Sequence, residues 1–127
     1  MRKKRKVLLV EDDYSVQRMM KEMLEVLGCD VTIATLGEQA VQIARKDSFD
    51  YYLVDILMPD IDGLEAVEKM LISGVSQKVV VTSADLSPEN LEKARILGIQ
   101  KFLSKPIQMY DLERLFKELE QERDIDS

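Results

Sequence analysis

Four short apolar runs in this chain each stop at a residue able to do chemistry. Val7-Leu8-Leu9-Val10 leads into Glu11-Asp12, Tyr51-Tyr52-Leu53-Val54 into Asp55, Val79-Val80-Val81-Thr82 into Ser83, and Phe102-Leu103-Ser104 into Lys105. Three carboxylates, a hydroxyl and an ammonium are the donor set for a divalent cation and a phosphoryl group. If the runs are parallel strands, all of these groups lie at one edge of one sheet, where open α/β sheets gather ligands. Clustered carboxylates repel one another strongly enough to raise a pKa or recruit a cation. Mg²⁺ suits such a site, since it takes oxygen ligands and is held by one or two carboxylates plus phosphate oxygens. Taken alone, Glu11-Asp12-Asp13 also reads as an acidic cluster at a helix N-terminus.

The elements that must position these groups alternate along the chain. Strands are expected at Lys6–Val10, Asp30–Ala34, Tyr51–Val54, Val79–Ser83 and Lys101–Ser104. A first helix over Ser15–Leu27 carries Val16, Met19, Met20, Met23, Leu24 and Leu27 at spacings of three and four, with Gly28 as its stop. These methionines are expected to be core packing. Thr35-Leu36-Gly37-Glu38 has capping-box spacing and opens a helix to about Lys46. After the Pro- and Gly-punctuated loop from Ile56 to Gly63, a helix to about Ile72 turns Leu64, Val67 and Leu71 inward. Ser87-Pro88 supplies an N-cap with proline at the first helical position, and Gly98 ends that helix after Leu91, Ala94 and Leu97. The last helix buries Leu112, Leu115, Phe116 and Leu119, and the polar tail 120–127 is expected to fray or begin a linker. Five βα units joined by right-handed crossovers build a doubly wound parallel sheet with helices on both faces. Periodicity leaves the strand order open.

Composition narrows the function. The 127 residues, 46% hydrophobic, suit one domain, with a core at about 6–119 and a solvated basic arm at 1–5. Eighteen basic against twenty-four acidic residues, a net charge of −6, argue against direct nucleic-acid binding. The single cysteine, Cys29, can form no internal disulfide, so the cytoplasm is the simpler assignment. No apolar stretch approaches a membrane span. The absence of histidine removes any His nucleophile, base or metal ligand from this chain.

The chain resembles the receiver domain of two-component response regulators, of the chemotaxis-regulator, flavodoxin-like type. The resemblance runs from Val7 to about Leu119. It rests on Val-Glu-Asp-Asp at 10–13, Val-Asp-Ile-Leu-Met-Pro-Asp-Ile-Asp-Gly at 54–63, Thr-Ser-Ala at 82–84 and Ser-Lys-Pro at 104–106. Each motif alone is weak; in this order, on successive strand ends, they are specific. The resemblance implies strand order 2-1-3-4-5. It implies that Asp55 is the phospho-acceptor for a phosphohistidine on a sensor histidine kinase or phosphotransfer protein, giving an aspartyl phosphate. Mg²⁺ would be held by Glu11, Asp12, Asp55 and the backbone carbonyl of Leu57. The alanine after the hydroxyl residue selects Ser83 over Thr82. Ser83 and Lys105 would complete the site, with a cis Lys105–Pro106 bond. Ser83 and Phe102 would form the switch, Phe102 lacking the hydroxyl of the more usual tyrosine.

The implied function is a signalling domain that catalyses its own phosphorylation and dephosphorylation, without being an enzyme toward another substrate. Its output would be a protein-interaction face of the fourth helix, fifth strand and fifth helix, read by an unknown downstream protein. With no effector segment in the chain, a stand-alone receiver is expected. Arg114, Lys117, Glu118 and Glu122 leave both a monomer and a homodimer open. Three alternatives compete: a phosphorylation-independent interaction module of the same fold, a flavin-binding protein, and a strand-end aspartate phosphatase. The full set of five site residues argues against the first. Glu11-Asp12-Asp13 would repel a flavin phosphate, and the chain is small for the third.

Overall fold

The structure, a computed structural model, describes residues 4–58, 63–72 and 79–126, with side chains described to Glu122. Strands and helices alternate throughout: β1 (Arg5–Val10), α1 (Tyr14–Val26), β2 (Cys29–Ala34), α2 (Gly37–Lys46), β3 (Tyr51–Asp55), α3 (Gly63–Ile72), β4 (Val79–Ser83), α4 (Pro88–Ile96), β5 (Lys101–Ser104) and α5 (Met109–Asp126). All strand pairs are parallel and the order is β2-β1-β3-β4-β5, as the resemblance implied.

Strand alternation divides the core into two layers. Leu8, Val10, Tyr52, Val54 and Val81 face one way, against Ala40, Val41 and Ala44 of α2, Val67 and Met70 of α3 and Ala94 of α4. Val7, Leu9, Tyr51, Leu53 and Val80 face the other way, against Met20 and Leu24 of α1 and Leu112, Leu115, Phe116 and Leu119 of α5. Burial on both faces explains why β1 and β3 are apolar without alternation.

The register aligns the strand ends that matter. Val10 pairs with both Ala34 and Val54, Asp55 with Thr82, and Ser83 with Ser104. Glu11, Asp55, Ser83 and Lys105 therefore leave the sheet at one edge.

Several local expectations need correction. Met19 is exposed while Met20 and Leu24 are buried, so the apolar stripe of α1 is narrower than its methionines suggested. Thr35 does not cap α2: the N-cap is Leu36, with no side-chain cap bond, and the Thr35 N–H instead donates to Gln39 Oε1 at 2.8 Å. The expected tail from Glu120 is placed as helix, α5 continuing to Asp126. Arg5 pairs with Glu120 and stacks over Phe116, and Lys101 pairs with Glu122 at 2.9 Å, which holds the added turns to the sheet. Arg5, expected in the basic arm, belongs to the strand together with Lys6, and Met1 to Lys3 of the arm lie outside the described residues. So do Pro59 to Asp62 of the loop motif. No helix among the described residues is long and apolar enough to cross a membrane.

Candidate functional site

The end of β1 delivers two carboxylates in different environments. Glu11 is buried and Asp12 exposed. Glu11 N–H donates to the Ala34 carbonyl at 3.0 Å, which ties the loop to β2, and Glu11 Oε2 accepts from Asp13 N–H at 3.0 Å. Asp13 is engaged elsewhere, its Oδ1 accepting from Ser15 N–H at 2.9 Å and Val16 N–H at 3.2 Å, which caps α1. The acidic triplet thus serves both readings of it, a helix cap at Asp13 and a carboxylate pair before it.

Asp55, at the end of β3, is 4% exposed. Its Oδ1 accepts from Leu57 N–H at 3.0 Å and its Oδ2 lies 2.7 Å from Lys105 Nζ. Lys105 Nζ also bonds Glu11 Oε1, so one ammonium bridges strand ends 94 and 50 residues away in sequence. The lysine is itself anchored, since its N–H donates to the Ser83 carbonyl at 2.9 Å; the Lys105–Pro106 bond is cis, as expected. Ile107, just beyond, is buried against the α1/α5 layer.

Electrostatics follow from this geometry. Burial pushes the Glu11 carboxyl above its ordinary value, and the Lys105 ammonium and the Asp13 N–H only partly oppose it. Burial works against the Lys105 charge as well, but its hydrogen bonds and attraction to Asp55 and Glu11 together hold it above the usual lysine value. Oxygens of Glu11, Asp12 and Asp55 all lie within 4.8 Å of one another. Three carboxylate oxygens this close are an all-oxygen set of the kind Mg²⁺ takes, and since adjacent ligands at bonds of about 2.1 Å stand about 3 Å apart, the cluster would close on the ion.

Ser83 and Thr82 are both buried. The Ser83 hydroxyl closes a small turn, accepting from Asp85 N–H at 2.9 Å and donating to the Asp85 carbonyl at 3.2 Å. Asn90 of α4 donates to the same carbonyl at 3.1 Å, and Ser87 caps α4 as its sequence indicated. Phe102 is partly buried and packs on the layer containing Val81 and Ala94. Leu57 is 53% exposed beside the carboxylates.

Sequence reasoning missed Gln17. It is 7% exposed, and its Nε2 donates to the Glu11 carbonyl at 2.6 Å. The one signal that could have found it was its spacing, three and seven residues before the buried Met20 and Leu24.

Comparison with known proteins converges on one family. The model of the response regulator receiver domain matches residues 7–117. A probable transcriptional regulator of Porphyra purpurea is 36% identical over 117 residues, which cover 89% of this chain and 55% of that protein. A two-component response regulator of Arabidopsis thaliana is 30% identical over 128 residues, covering 95% of this chain and 24% of that one. The chain thus spans about half or less of these relatives. Among solved structures, a CheY-like response regulator receiver domain protein of Methanospirillum hungatei JF-1 superposes with a TM-score of 0.87 at 27% identity, covering 98% of this chain and 99% of that one. The receiver domain of a Pseudomonas aeruginosa PAO1 sensor histidine kinase, with a magnesium ion coordinated in its active-site cleft, gives 0.79 at 28% identity, with 91% and 96% covered. With its strand order, its aligned strand ends and this match over nearly its whole length, the chain belongs to the response regulator receiver domain family of two-component phosphorelay signalling.

Proposed function

We propose that Asp55 is the phospho-acceptor of this receiver, and that its phosphorylation by a sensor histidine kinase or phosphotransfer protein switches a protein-interaction face. The observation that carries this reading is the convergence of Asp55 with Glu11, Asp12 and Lys105. An Asp55 carboxylate oxygen attacks phosphorus, forming the O–P bond as the P–N bond of the phosphohistidine breaks and its electron pair returns to the leaving imidazole. Lys105, already 2.7 Å from Oδ2, offers a fixed positive charge to the oxygens of the transferring group. Glu11, Asp12, Asp55 and the Leu57 carbonyl are the proposed Mg²⁺ ligands. Bound there, the ion supplies charge neutralisation to the phosphoryl oxygens. Water attack on the same phosphorus later returns Asp55 to its carboxylate, making the domain a self-limiting signal.

The Ser83 hydroxyl is the proposed donor to the new phosphoryl oxygens, which requires it to release Asp85 and so to disturb the start of α4. Phe102 packs where that movement would be felt. An apolar groove formed by Val16, Met19, Met20, Ala84, Pro106 and Ile107 borders Lys105 and offers the donor protein a seat beside the acceptor. The cytoplasm is the compartment this reading requires.

Intact-protein mass spectrometry after incubation with acetyl phosphate and Mg²⁺ tests the assignment. One added phosphoryl group is expected on the parent and none on Asp55→Asn. An unchanged parent mass, or equal labelling of the variant, overturns it.

A further inference from the structure

The Glu11–Asp12 peptide unit carries both β1-derived carboxylates, so its orientation decides where they point. Asp12 is exposed, and its carboxylate makes no hydrogen bond among the described residues. Its placement therefore depends on the backbone before it. That backbone is held at two points. Glu11 N–H is bound to the Ala34 carbonyl at 3.0 Å, and the Glu11 carbonyl is bound to Gln17 Nε2 at 2.6 Å.

Gln17 is an expensive way to hold a helix to a sheet. A buried amide must be desolvated, and an apolar side chain would serve α1 better if packing were its only contribution. The amide also reaches Thr35 Oγ1 at 3.4 Å, and the Thr35 N–H is in turn held by Gln39. One side chain thus connects the loop after β1 with the loop after β2, while the Gln17 N–H closes the first turn of α1 on the Asp13 carbonyl at 2.9 Å.

We propose that Gln17 is a positioning residue for the cation site: by fixing the Glu11–Asp12 peptide plane it sets the separation of the Glu11 and Asp12 carboxylates, and so the affinity for Mg²⁺. The inference rests on the proposed assignment of those carboxylates as ligands. Gln17 touches neither the ion nor the phosphoryl group. Partners that orient metal ligands are worth about 10- to 100-fold in metal affinity, and one acting through the backbone belongs at the low end.

The test is calorimetric titration of MgCl₂ into the unphosphorylated protein, with thermal melts in EDTA alongside. Gln17→Met preserves length and removes the donor; its Mg²⁺ affinity is expected to fall about tenfold. Phosphorylation by acetyl phosphate should need correspondingly more Mg²⁺ for half-maximal rate, while the rate at saturating Mg²⁺ stays close to that of the parent. Met23→Ala, a packing change on the same helix, should lower the melting temperature and leave Mg²⁺ affinity unchanged. If Gln17→Met does not fold, Gln17→Ser replaces it: a water can then satisfy the Glu11 carbonyl without fixing it, and Mg²⁺ binding should still weaken. A Gln17 variant that melts earlier but binds Mg²⁺ as the parent does overturns the proposal. A parent that takes up no Mg²⁺ overturns the ligand assignment, and the proposal with it.

Discussion

Gly63 lies against the backbone of Asp55. A Cβ on residue 63 would stand 2.5 Å from Ile56 Cα and 2.9 Å from the Asp55 carbonyl carbon, and nearer still to the Asp55 carbonyl oxygen. The Gly63 N–H donates to the Ile56 carbonyl at 3.1 Å, so the start of α3 is fastened where β3 ends. The obstacles are backbone atoms at the end of β3, which cannot swing aside as a flexible side chain would.

Gly63→Ala is therefore expected to cost about 2–3 kcal/mol, toward the upper end for overpacking a filled site. It should also slow phosphorylation, because relieving the clash moves the Asp55 main chain. Circular-dichroism melts and acetyl phosphate labelling check both; an unchanged melting temperature would refute the first.

Lys105 is the cation shared by two buried carboxylates. Lys105→Met leaves Glu11 and Asp55 without it, and in EDTA this should destabilise the fold by about 3 kcal/mol, the lower end for breaking a buried pair. Mg²⁺ held by the proposed ligands would supply the missing charge, so urea midpoints should recover on its addition more in the variant than in the parent. Equal recovery in both would contradict a compensating role for the lysine.

Ser83→Ala removes the hydroxyl that both accepts from and donates to Asp85. Phosphorylation of Asp55 should persist while its effect on α4 declines. Amide chemical shifts of residues 87–96 on addition of beryllium fluoride, a phosphoryl mimic, report this. Shifts as large in the variant as in the parent would remove Ser83 from the switch.

Stability at alkaline pH should fall in two stages. Burial pushes the Cys29 thiol above its reference value of 9.0, with Arg5 opposing, and burial pushes the Tyr52 hydroxyl above 10.0. In each window the unfolded chain has released a proton that the folded chain retains. The unfolded state then binds fewer protons, and stability decreases as pH rises. Each group contributes a slope of up to about 1.4 kcal/mol per pH unit. Urea titrations across pH 8–11 check this, and Cys29→Ala should remove the earlier stage. A flat profile through the earlier window would show that the thiol does not titrate between folded and unfolded states.

The apolar runs ending in functional groups located four of the five strands, and the strand order that the resemblance implied made Glu11, Asp12, Asp55 and Lys105 neighbours, with Ser83 leaving the sheet at the same edge. Parallel strands with continuous apolar sequence and Pro- or Gly-marked helix ends leave few alternatives. Gln17 escaped because a buried amide has the same letter as a solvated one, and only the carbonyl it meets distinguishes them. Thr35 was misread as a cap because its hydroxyl is engaged by Gln17 of α1 while its N–H is taken by Gln39 of α2 itself. The helical course of α5 at Glu120 and Glu122 is accompanied by ion pairs to Arg5 and Lys101, which are distant in sequence from these partners.

Lys105 meets carboxylates from the first and third strands only after the fifth has docked beside the fourth. A full-length chain in which β5 has not docked therefore carries every side chain of the proposed site without bringing them together. Competence to receive a signal would in this sense certify a complete sheet, out to its edge strand β5.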